Sequence, residues 1–330
     1  MKFLIVRFSS IGDIVLTTPL IRCLRQKFPN AEIHYLTKKN FLPVIINNPY
    51  LTSIHTIVKD FDEVIDRLKV IQFDLIIDLH NNLRTLRLKQ TLREVKAVSF
   101  NKLNVEKWLL TNLKINTLPK RHIVERYMAT VSSLAVTYDN KGLDYFIDDA
   151  EKVNQDDIPT SHSQGFIGIV IGAAHNTKKL PVKKLAELCE KIDHPIILLG
   201  AQEDFFNGEK IAKSNKTKIY NACGKFKLNE SADLVRRSRF VISHDTGLMH
   251  IAAAYKKYII SIWGNTVPAF GMTPFETPYD VIQVNNLYCR PCSKIGYDKC
   301  PKGHFKCMNN IDINAIITLA NNGLRNYSNL

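Results

Sequence analysis

Short apolar runs alternate with stretches of helical periodicity along almost the whole chain. Strands that alternate with helices in this way form a parallel sheet that carries helices on both of its faces. Strands are predicted at Phe3–Val6, Glu32–Leu36, Ile54–Val58, Leu75–Leu79, Ala97–Phe100, Phe166–Ile171, Pro195–Leu199, Lys218–Asn221, Phe240–Ser243 and Tyr258–Trp263. The clearest helices are predicted at Ile14–Phe28, Ile123–Leu134, Val182–Ile192, Phe205–Lys213, Glu230–Arg237, Gly247–Tyr255 and Ile313–Asn321. The pattern therefore predicts an α/β fold.

A polar stretch at residues 148–164 separates two α/β halves of similar length. Its aspartates, proline and serines are typical of a linker. A chain of 330 residues is long enough for two domains, each with its own core. We therefore predict two domains, residues 1–160 and 161–330, with a cleft between them where a small-molecule site is expected.

The sequence favours a cytoplasmic protein. No apolar run approaches the roughly 18 residues that a membrane span needs. The N-terminal apolar run ends at Arg7, and no small-residue cleavage site follows it. We interpret this run as a buried first strand rather than a signal peptide.

The positive charge of the chain is concentrated in one region. The formal net charge is +14, and residues 84–126 contain eleven Lys or Arg against three Glu. The basic residues are Arg84, Arg87, Lys89, Arg93, Lys96, Lys102, Lys107, Lys114, Lys120, Arg121 and Arg126. Such a region is either a solvated face or a surface that attracts phosphorylated ligands, anionic lipid or nucleic acid. Nucleic acid is disfavoured because no DNA- or RNA-binding signature is present.

The first candidate site is Ser9-Ser10-Ile11-Gly12-Asp13, directly after the first predicted strand. Open parallel sheets bind ligands at the carboxyl ends of their strands, and Gly12 permits close packing there. Asp13 at such a position can accept the proton of an attacking hydroxyl group. In the alternative interpretation, Ser10 or Asp13 only caps the first helix.

The second candidate site lies in Ser243–His250, again between a strand and a helix. The N–H groups of Thr246 and Gly247, together with the helix dipole, form an anion site that suits a diphosphate. Asp245 could receive sugar hydroxyl groups, and His250 lies one turn further along the helix. The alternative is an aspartate N-cap beside a hydrogen-bonded core histidine.

Two further candidates follow strands of the second half. Lys178 precedes a helix that Pro181 can start, and it could neutralise a leaving diphosphate. Glu203 could bind ribose hydroxyl groups. In the alternative interpretations Lys178 is solvated and Glu203 merely occupies the first turn of a helix.

Other patterns are less specific. Asp60-Phe61-Asp62 matches the D-x-D triplet of metal-dependent glycosyltransferases, but it begins a helical pattern, and we interpret it as a chance match. No G-x-G-x-x-G and no Walker A loop is present, which disfavours a dehydrogenase or a kinase.

Four cysteines cluster near the C-terminus, with His304 among them. They are Cys289, Cys292, Cys300 and Cys307. The first pair has C-x-x-C spacing, but the second pair is more widely spaced than in most zinc sites. Free thiols in a reducing cytosol are therefore favoured over a zinc or redox site.

Several segments together resemble the signatures of glycosyltransferase family nine, the ADP-heptose:lipopolysaccharide heptosyltransferases. They are Phe3–Pro19, His122–Tyr127, Ser243–Ala254, Trp263–Pro268 and the cysteine-rich tail that ends at Cys307-Met308. They follow the family's order along nearly the whole chain. The chain departs from the family at Ile171-Gly172-Ala173 and at Leu180, where a proline-glycine-serine turn and a tryptophan are common. The donor base and sugar are therefore less well determined than the fold.

The resemblance implies a GT-B fold of two Rossmann-like, doubly wound domains, with the acceptor on residues 1–160 and the nucleotide sugar on residues 161–330. It implies inverting transfer that needs no metal and no other cofactor. Asp13 matches the catalytic base, and Lys178 matches a lysine near the donor phosphates. The other predicted donor-binding residues are Glu203, Asp245, Thr246, Gly247 and His250, and the predicted acceptor-binding residues are Ser9, Ser10, Gly12, Arg84, Arg87 and Arg121.

We therefore predict an inverting glycosyltransferase that moves a heptose or a similar sugar from ADP-heptose to the inner core of lipopolysaccharide. Its partners would be the nucleotide-sugar donor, the anionic core acceptor and, through a peripheral contact, the inner face of the cytoplasmic membrane. The alternatives are a non-catalytic nucleotide-sugar-binding protein of the same fold and an oxidoreductase, which the missing glycine fingerprint disfavours. The acceptor sugar and the linkage position stay open.

Overall fold

The computed structural model describes residues 1–327, which form two compact units. The first unit contains Met1–Leu103 and Arg121–Phe146, and the second contains Asn104–Lys120 and the chain from Ile147 onward. Each unit has a parallel sheet of its own. No helix within residues 1–327 is long and apolar enough to cross a membrane.

The first unit is built on a five-stranded sheet in the order β3-β2-β1-β4-β5. Its strands are β1 (Lys2–Val6), β2 (Glu32–Lys38), β3 (Ser53–Ile57), β4 (Leu75–Asp78) and β5 (Lys96–Ser99). Its helices are α1 (Ile11–Val15), α2 (Thr18–Lys27), α3 (Ile65–Ile71), α4 (Leu83–Thr91) and α6 (Ile123–Ala129). The central strands β1 and β4 are buried along almost their whole length, as in a parallel sheet that is covered on both faces.

The second unit is built on a six-stranded parallel sheet in the order β11-β10-β9-β6-β7-β8. Its strands are β6 (Ile167–Val170), β7 (Ile196–Leu199), β8 (Ile219–Asn221), β9 (Val241–His244), β10 (Ile259–Trp263) and β11 (Tyr279–Gln283). Its helices are α5 (Asn104–Trp108), α7 (Val182–Lys191), α8 (Phe205–Ala212), α9 (Leu228–Arg237), α10 (Gly247–Ala254), α11 (Lys306–Asn309) and α12 (Ile313–Asn326). This strand order is the one typical of dinucleotide-binding, doubly wound folds.

All ten predicted strands are present with small shifts at their ends, but β11 was not predicted. Within residues 1–327 β11 pairs with β10 alone, and its residues are partly or fully exposed. An edge strand of this kind carries polar residues such as Asp280 and Gln283, so that it lacks the continuous apolar run by which buried strands are recognised.

The prediction of one continuous helix at Ile14–Phe28 is wrong, because the structure has two helices there, α1 and α2. Pro19 stands in the first turn of α2. A proline inside a helix would clash with the carbonyl group four residues earlier and would remove a hydrogen bond. At the junction, the hydroxyl groups of Thr17 and Thr18 instead donate to the carbonyl groups of Ile14 and Val15, both at 2.7 Å.

The polar stretch at residues 148–164 folds into short 3₁₀ turns that pack with the second unit. The Val153 N–H donates to the buried Asp233 carboxylate of α9 at 3.1 Å, and the Val153 carbonyl accepts from Arg237 at 3.0 Å. His162 is buried, and its Nε2 lies 3.1 Å from the Ile196 carbonyl oxygen of β7. The stretch up to residue 160, predicted to belong to the first domain, is thus attached to the second unit.

Candidate active site

The strand order of each sheet reverses at one point, and the predicted site residues follow the strands at these points. In the first unit the reversal lies between β1 and β4, and in the second unit it lies between β6 and β9. Loops that follow such a pair of strands diverge, and the opening between them is the usual ligand site of an open α/β sheet. Asp13 follows β1, Lys178 follows β6 and Asp245 follows β9.

In the first unit, the Asp13 carboxylate is held by Arg7 and Ser10. Arg7 Nη2 lies 2.7 Å from Asp13 Oδ1. Asp13 Oδ2 accepts from the Ser10 hydroxyl group at 2.8 Å and from the Ser10 N–H at 3.2 Å. Asp13 therefore does contribute to the N-terminal cap of α1, as the alternative interpretation predicted, and it forms a partly buried ion pair at the same time.

Arg7 is itself fixed by backbone groups. Its Nε donates to the Ser9 carbonyl oxygen at 2.8 Å, and its Nη1 donates to the Leu79 carbonyl oxygen at 2.6 Å. The Ser9 and Ser10 groups that the prediction assigned to an acceptor thus already bind Arg7 and Asp13, while Gly12 is buried within α1.

The ionisation of these groups follows from burial and pairing. Burial raises the pKa of Asp13, but the Arg7 guanidinium and the hydrogen bonds from Ser10 together lower it below its ordinary value. Burial lowers the pKa of Arg7, but Asp13 and the nearby Tyr127 and Tyr35 raise it above its ordinary value. Asp13 is therefore an ionised carboxylate at neutral pH.

His80 stands at the end of β4, beside the same reversal point. Burial lowers the pKa of His80 to about 4, and the positive charges of Arg7 and Lys102 act in the same direction. Asp78 shapes this loop, because its Oδ1 accepts the N–H groups of His80 at 3.0 Å and Asn81 at 2.7 Å. His80 is thus a neutral imidazole at physiological pH.

Arg84 and Arg87 project from α4 toward the D-x-D triplet. Arg87 Nη2 lies 2.7 Å from Asp62 Oδ2, and Arg84 Nε lies 3.8 Å from Asp60 Oδ1. Asp60 also caps a 3₁₀ turn by accepting the Phe61 N–H at 2.7 Å. The two aspartates of the triplet are thus engaged with arginines and a turn, whereas the third predicted acceptor-binding arginine, Arg121, is exposed.

In the second unit, Lys178 and Asp245 form the centre of a polar cluster. Lys178 Nζ lies 2.6 Å from Asp245 Oδ2 and 3.3 Å from the Asp245 carbonyl oxygen. The hydroxyl group of Thr266, in the loop after β10, donates to the same Oδ2 at 2.9 Å. Both charged side chains are partly accessible, at 16% for Lys178 and 11% for Asp245.

The N-terminus of α10 lies directly after this cluster. Thr246 is the N-cap residue, its side chain accepts no hydrogen bond from the first turn, and the first turn is partly exposed. Unsatisfied N–H groups at a helix N-terminus bind anions. His250 lies one turn further along α10 and is buried, although it was predicted to contact the donor.

Glu203 is exposed in a 3₁₀ turn at the start of α8, and its neighbour Asp204 is buried. Asp204 Oδ1 lies 2.7 Å from Lys179 Nζ, and Asp204 Oδ2 accepts the Ala201 N–H at 3.1 Å. The two adjacent lysines therefore have different partners, since Lys178 binds Asp245 and Lys179 binds Asp204.

The cysteine-rich loop holds free thiols. Cys289 Sγ lies 3.7 Å from His304 Nε2, and Cys307 is buried. Burial raises the pKa of Cys307 to about 11, and the neighbouring thiols act in the same direction. Within the described residues, no three His, Cys, Asp or Glu side chains are placed to hold a metal ion together.

Three residues of these clusters were missed as site candidates. Arg7 is a charged residue directly after an apolar strand, and this change from apolar to charged could have indicated a role for it. Thr266 lies in the loop after β10 but was not given a role. Arg290 holds that loop, because its Nη2 donates to the Thr266 carbonyl oxygen at 2.9 Å. Nothing in the local sequence around Arg290 indicates this contact.

Residues 62–301 of the chain match the family model of glycosyltransferase family 9 (heptosyltransferase). The lipooligosaccharide heptosyltransferase 2 of Haemophilus ducreyi is 26% identical to this chain over 298 residues, which cover 82% of this chain and 85% of that protein.

Two solved structures are similar to this chain over nearly its whole length. The crystal structure of the glycosyl transferase family 9 from Veillonella parvula has a TM-score of 0.81 at 22% identity, with 98% of this chain and 97% of that chain covered. The ADP-heptose lps heptosyltransferase II of Escherichia coli has a TM-score of 0.74 at 19% identity, with 98% of each chain covered. The predicted family resemblance and the predicted α/β fold of GT-B type are confirmed.

The Arg7–Asp13 pair generates a prediction about ionisation. Arg7→Met removes the charge that lowers the pKa of Asp13 but leaves the burial that raises it, so the pKa of Asp13 should rise. The measurement is a pH titration of the carboxyl carbon by NMR, with Asp13→Asn to assign the signal. Arg25→Met is the matched control, because Arg25 donates to the carbonyl oxygens of Tyr50, Pro29 and Ala31 and to the Thr52 hydroxyl group. An unchanged pKa of Asp13 in Arg7→Met would contradict the assignment.

Proposed function

Because the chain belongs to glycosyltransferase family 9, the heptosyltransferases, we propose that it transfers a heptose from ADP-heptose to the inner core of lipopolysaccharide with inversion at the anomeric carbon. The observation that carries this proposal is the Lys178–Asp245–Thr266 cluster beside the N-terminus of α10. The cluster lies where a doubly wound sheet binds nucleotides, and it offers positive charge to a diphosphate.

The donor half of the site is assigned to the second unit. A lysine ammonium group has three N–H donors, and Asp245 accepts from Lys178 through its Oδ2 and its carbonyl oxygen. One donor is therefore left for a diphosphate oxygen. The free N–H groups of the first turn of α10, including that of Gly247, supply further contacts. Glu203, exposed near the end of β7, suits the ribose hydroxyl groups.

The acceptor half of the site is assigned to the first unit. A carboxylate offers about four acceptor positions, and Arg7 and Ser10 occupy three of those on Asp13. One position is left for the hydroxyl group of the acceptor sugar. The proton of that hydroxyl group then passes to Asp13 as the oxygen attacks the anomeric carbon.

In the proposed step, the bond from the acceptor oxygen to the anomeric carbon forms while the bond from that carbon to the diphosphate oxygen breaks. The electron pair leaves with ADP, whose negative charge is stabilised by Lys178 and by the N–H groups at the start of α10. The acceptor attacks from the face opposite the leaving group, so the configuration of the carbon is inverted.

The acceptor is proposed to be a phosphorylated, lipid-linked sugar, which assigns the enzyme to the cytoplasm with a peripheral contact at the inner face of the cytoplasmic membrane. The exposed Arg121 and the basic residues of α4 suit a polyanionic glycolipid. Arg87 already binds Asp60 and Asp62, so its contribution to the acceptor requires exchange of these partners.

The proposed function is tested by assaying the purified chain with extracted core glycolipid and a panel of nucleotide sugars. ADP-heptose should support transfer, and EDTA should leave the rate within about twofold, because Lys178 and a helix N-terminus replace a metal in stabilising the diphosphate. Binding of ADP-heptose without transfer to any glycolipid would identify a non-catalytic protein of this fold. Loss of activity in EDTA that magnesium restores would contradict metal-independent transfer.

Asp13→Asn tests the proposed base. Asparagine keeps the size of the side chain and caps a helix about as well as aspartate, but it cannot take the proton. Turnover should fall by about 10²- to 10⁴-fold, the usual contribution of general base catalysis, with the affinity for ADP-heptose nearly unchanged. A melting temperature measured beside the rate controls for a folding defect. A folded Asp13→Asn variant with near-normal turnover would contradict the assignment of Asp13 as the base.

Lys178→Met and Lys179→Met separate a donor contact from a structural ion pair. Lys178→Met should lower kcat/KM for the donor by about 10²-fold or more, because the charge that stabilises the leaving diphosphate is lost. Lys179→Met leaves the buried Asp204 without its partner, so it should lower the melting temperature, with a smaller effect on the rate. Equal losses of kcat/KM at equal stability would show that Lys178 has no special role.

A further inference from the structure

Residues 104–120, hereafter the Trp108 segment, expose several large apolar side chains. The exposed fractions are 68% for Val105, 56% for Trp108, 54% for Leu113 and 52% for Ile115. Single exposed apolar residues are normal, but a concentration of them within a dozen residues marks an interaction surface.

The helical backbone of the Trp108 segment places two of these side chains on the same face. Helix α5 continues without a break into a π-helical turn at Leu109–Leu113. Residues three apart on an α-helix lie on the same face, which places Val105 beside Trp108. Leu110 is the one buried residue of this fully described segment, which belongs to the second unit.

Lys114, near the other end of the segment, forms hydrogen bonds to the second unit. Lys114 Nζ donates to the Pro291 carbonyl oxygen at 2.7 Å and to the Thr111 carbonyl oxygen at 2.6 Å. Lys114 also lines a surface pocket of about 600 Å³ together with Tyr288, which is 72% exposed. A second aromatic side chain thus stands close to the segment and is open to solvent.

The charge of the segment and its flanks identifies the kind of partner. Residues 102–121 contain five Lys or Arg and a single acidic residue, Glu106. A short helix with exposed tryptophan and aliphatic residues among basic ones binds at the interface of an anionic membrane. Tryptophan and tyrosine prefer the headgroup region, and lysine side chains reach from there to the phosphates.

We propose that the Trp108 segment docks on the surface of an anionic phospholipid bilayer, with Val105, Trp108 and Leu113 inserted at the level of the headgroups. The inference rests on the proposed function, because a lipid-linked acceptor lies at such a surface. It assigns the membrane contact to a segment of the second unit rather than to Arg84 and Arg87, which bind acidic residues of the first unit.

The fluorescence of Trp108 can report this contact. It has two tryptophans, of which Trp263 is buried within β10 and Trp108 is exposed. Adding vesicles that contain phosphatidylglycerol should shift the fluorescence to shorter wavelength and protect it from a soluble quencher. Vesicles of phosphatidylcholine alone should have little effect. Raising the salt from about 0.1 to about 1 M shortens the Debye length from about 10 to about 3 Å and should weaken binding.

Val105→Ser combined with Leu113→Ser keeps the reporter and removes apolar area, so sedimentation with the anionic vesicles should show about tenfold weaker binding. Val58→Ser combined with Val70→Ser is the matched control, because both valines are exposed in the first unit, at 63% and 82%. The control should bind like the unmodified chain. All four side chains are exposed, and equal melting temperatures would verify that the folds are intact.

Three outcomes would overturn the proposal. They are equal binding to neutral and anionic vesicles, unchanged binding of the Val105→Ser, Leu113→Ser variant, and a fluorescence shift that depends on protein concentration without vesicles, which would indicate a second copy as the partner. A delipidated acceptor separates this proposal from the proposed function. The variant should transfer to that soluble acceptor at the normal rate, whereas failure of the unmodified chain to transfer at all would contradict the proposed function alone.

Discussion

The pairing of β1 with β4, and of β6 with β9, determines where the charged groups of the candidate site lie. In both sheets the winding reverses between these strands, so the loops that follow them diverge and leave the carboxyl edge open. The charged residues Arg7 and Asp13 follow β1, Lys178 follows β6 and Asp245 follows β9, and the neutral His80 follows β4. A shift of one residue in register would turn every side chain to the opposite face of its sheet. The apolar residues that fix the register therefore also fix the polar ones.

In each unit a central charged group of the candidate site is ion-paired, Asp13 with Arg7 in the first and Lys178 with Asp245 in the second. The side chains of the two pairs are only 10–19% exposed, so removing one partner would leave the other charge poorly solvated and would destabilise the fold. The pairs therefore hold Asp13 and Lys178 in defined positions, and on each of them one hydrogen-bonding position is left for a substrate. Groups that are oriented in advance need no reorganisation during the reaction, which is the main source of electrostatic stabilisation in enzymes.

The central strands β1, β4, β6, β7, β9 and β10 could be predicted, because burial on both faces leaves continuous apolar runs. The loops that follow β1, β6 and β9 could be predicted as well, because parallel strands place their carboxyl ends at one edge of the sheet. Other features depend on contacts distant in sequence. The edge strand β11 has no continuous apolar run, and Val153 joins the second unit through Asp233, 80 residues away. The exposure of Trp108 could not be predicted either, since the same apolar spacing would be expected of a helix that packs against a core.

The lowered pKa of Asp13 bears on whether it can act as the base that we propose. A general base is most effective when its pKa lies near the working pH. The ion pair with Arg7 lowers the pKa of Asp13, and it therefore makes Asp13 a weaker base. The same pair keeps Asp13 ionised, and glycosyl transfer passes through a transition state with positive charge on the sugar. The hydroxyl group of the acceptor becomes strongly acidic only as its oxygen bonds to that sugar carbon. A weak but permanently ionised base suffices for so late a proton transfer, and its position matters more than its strength.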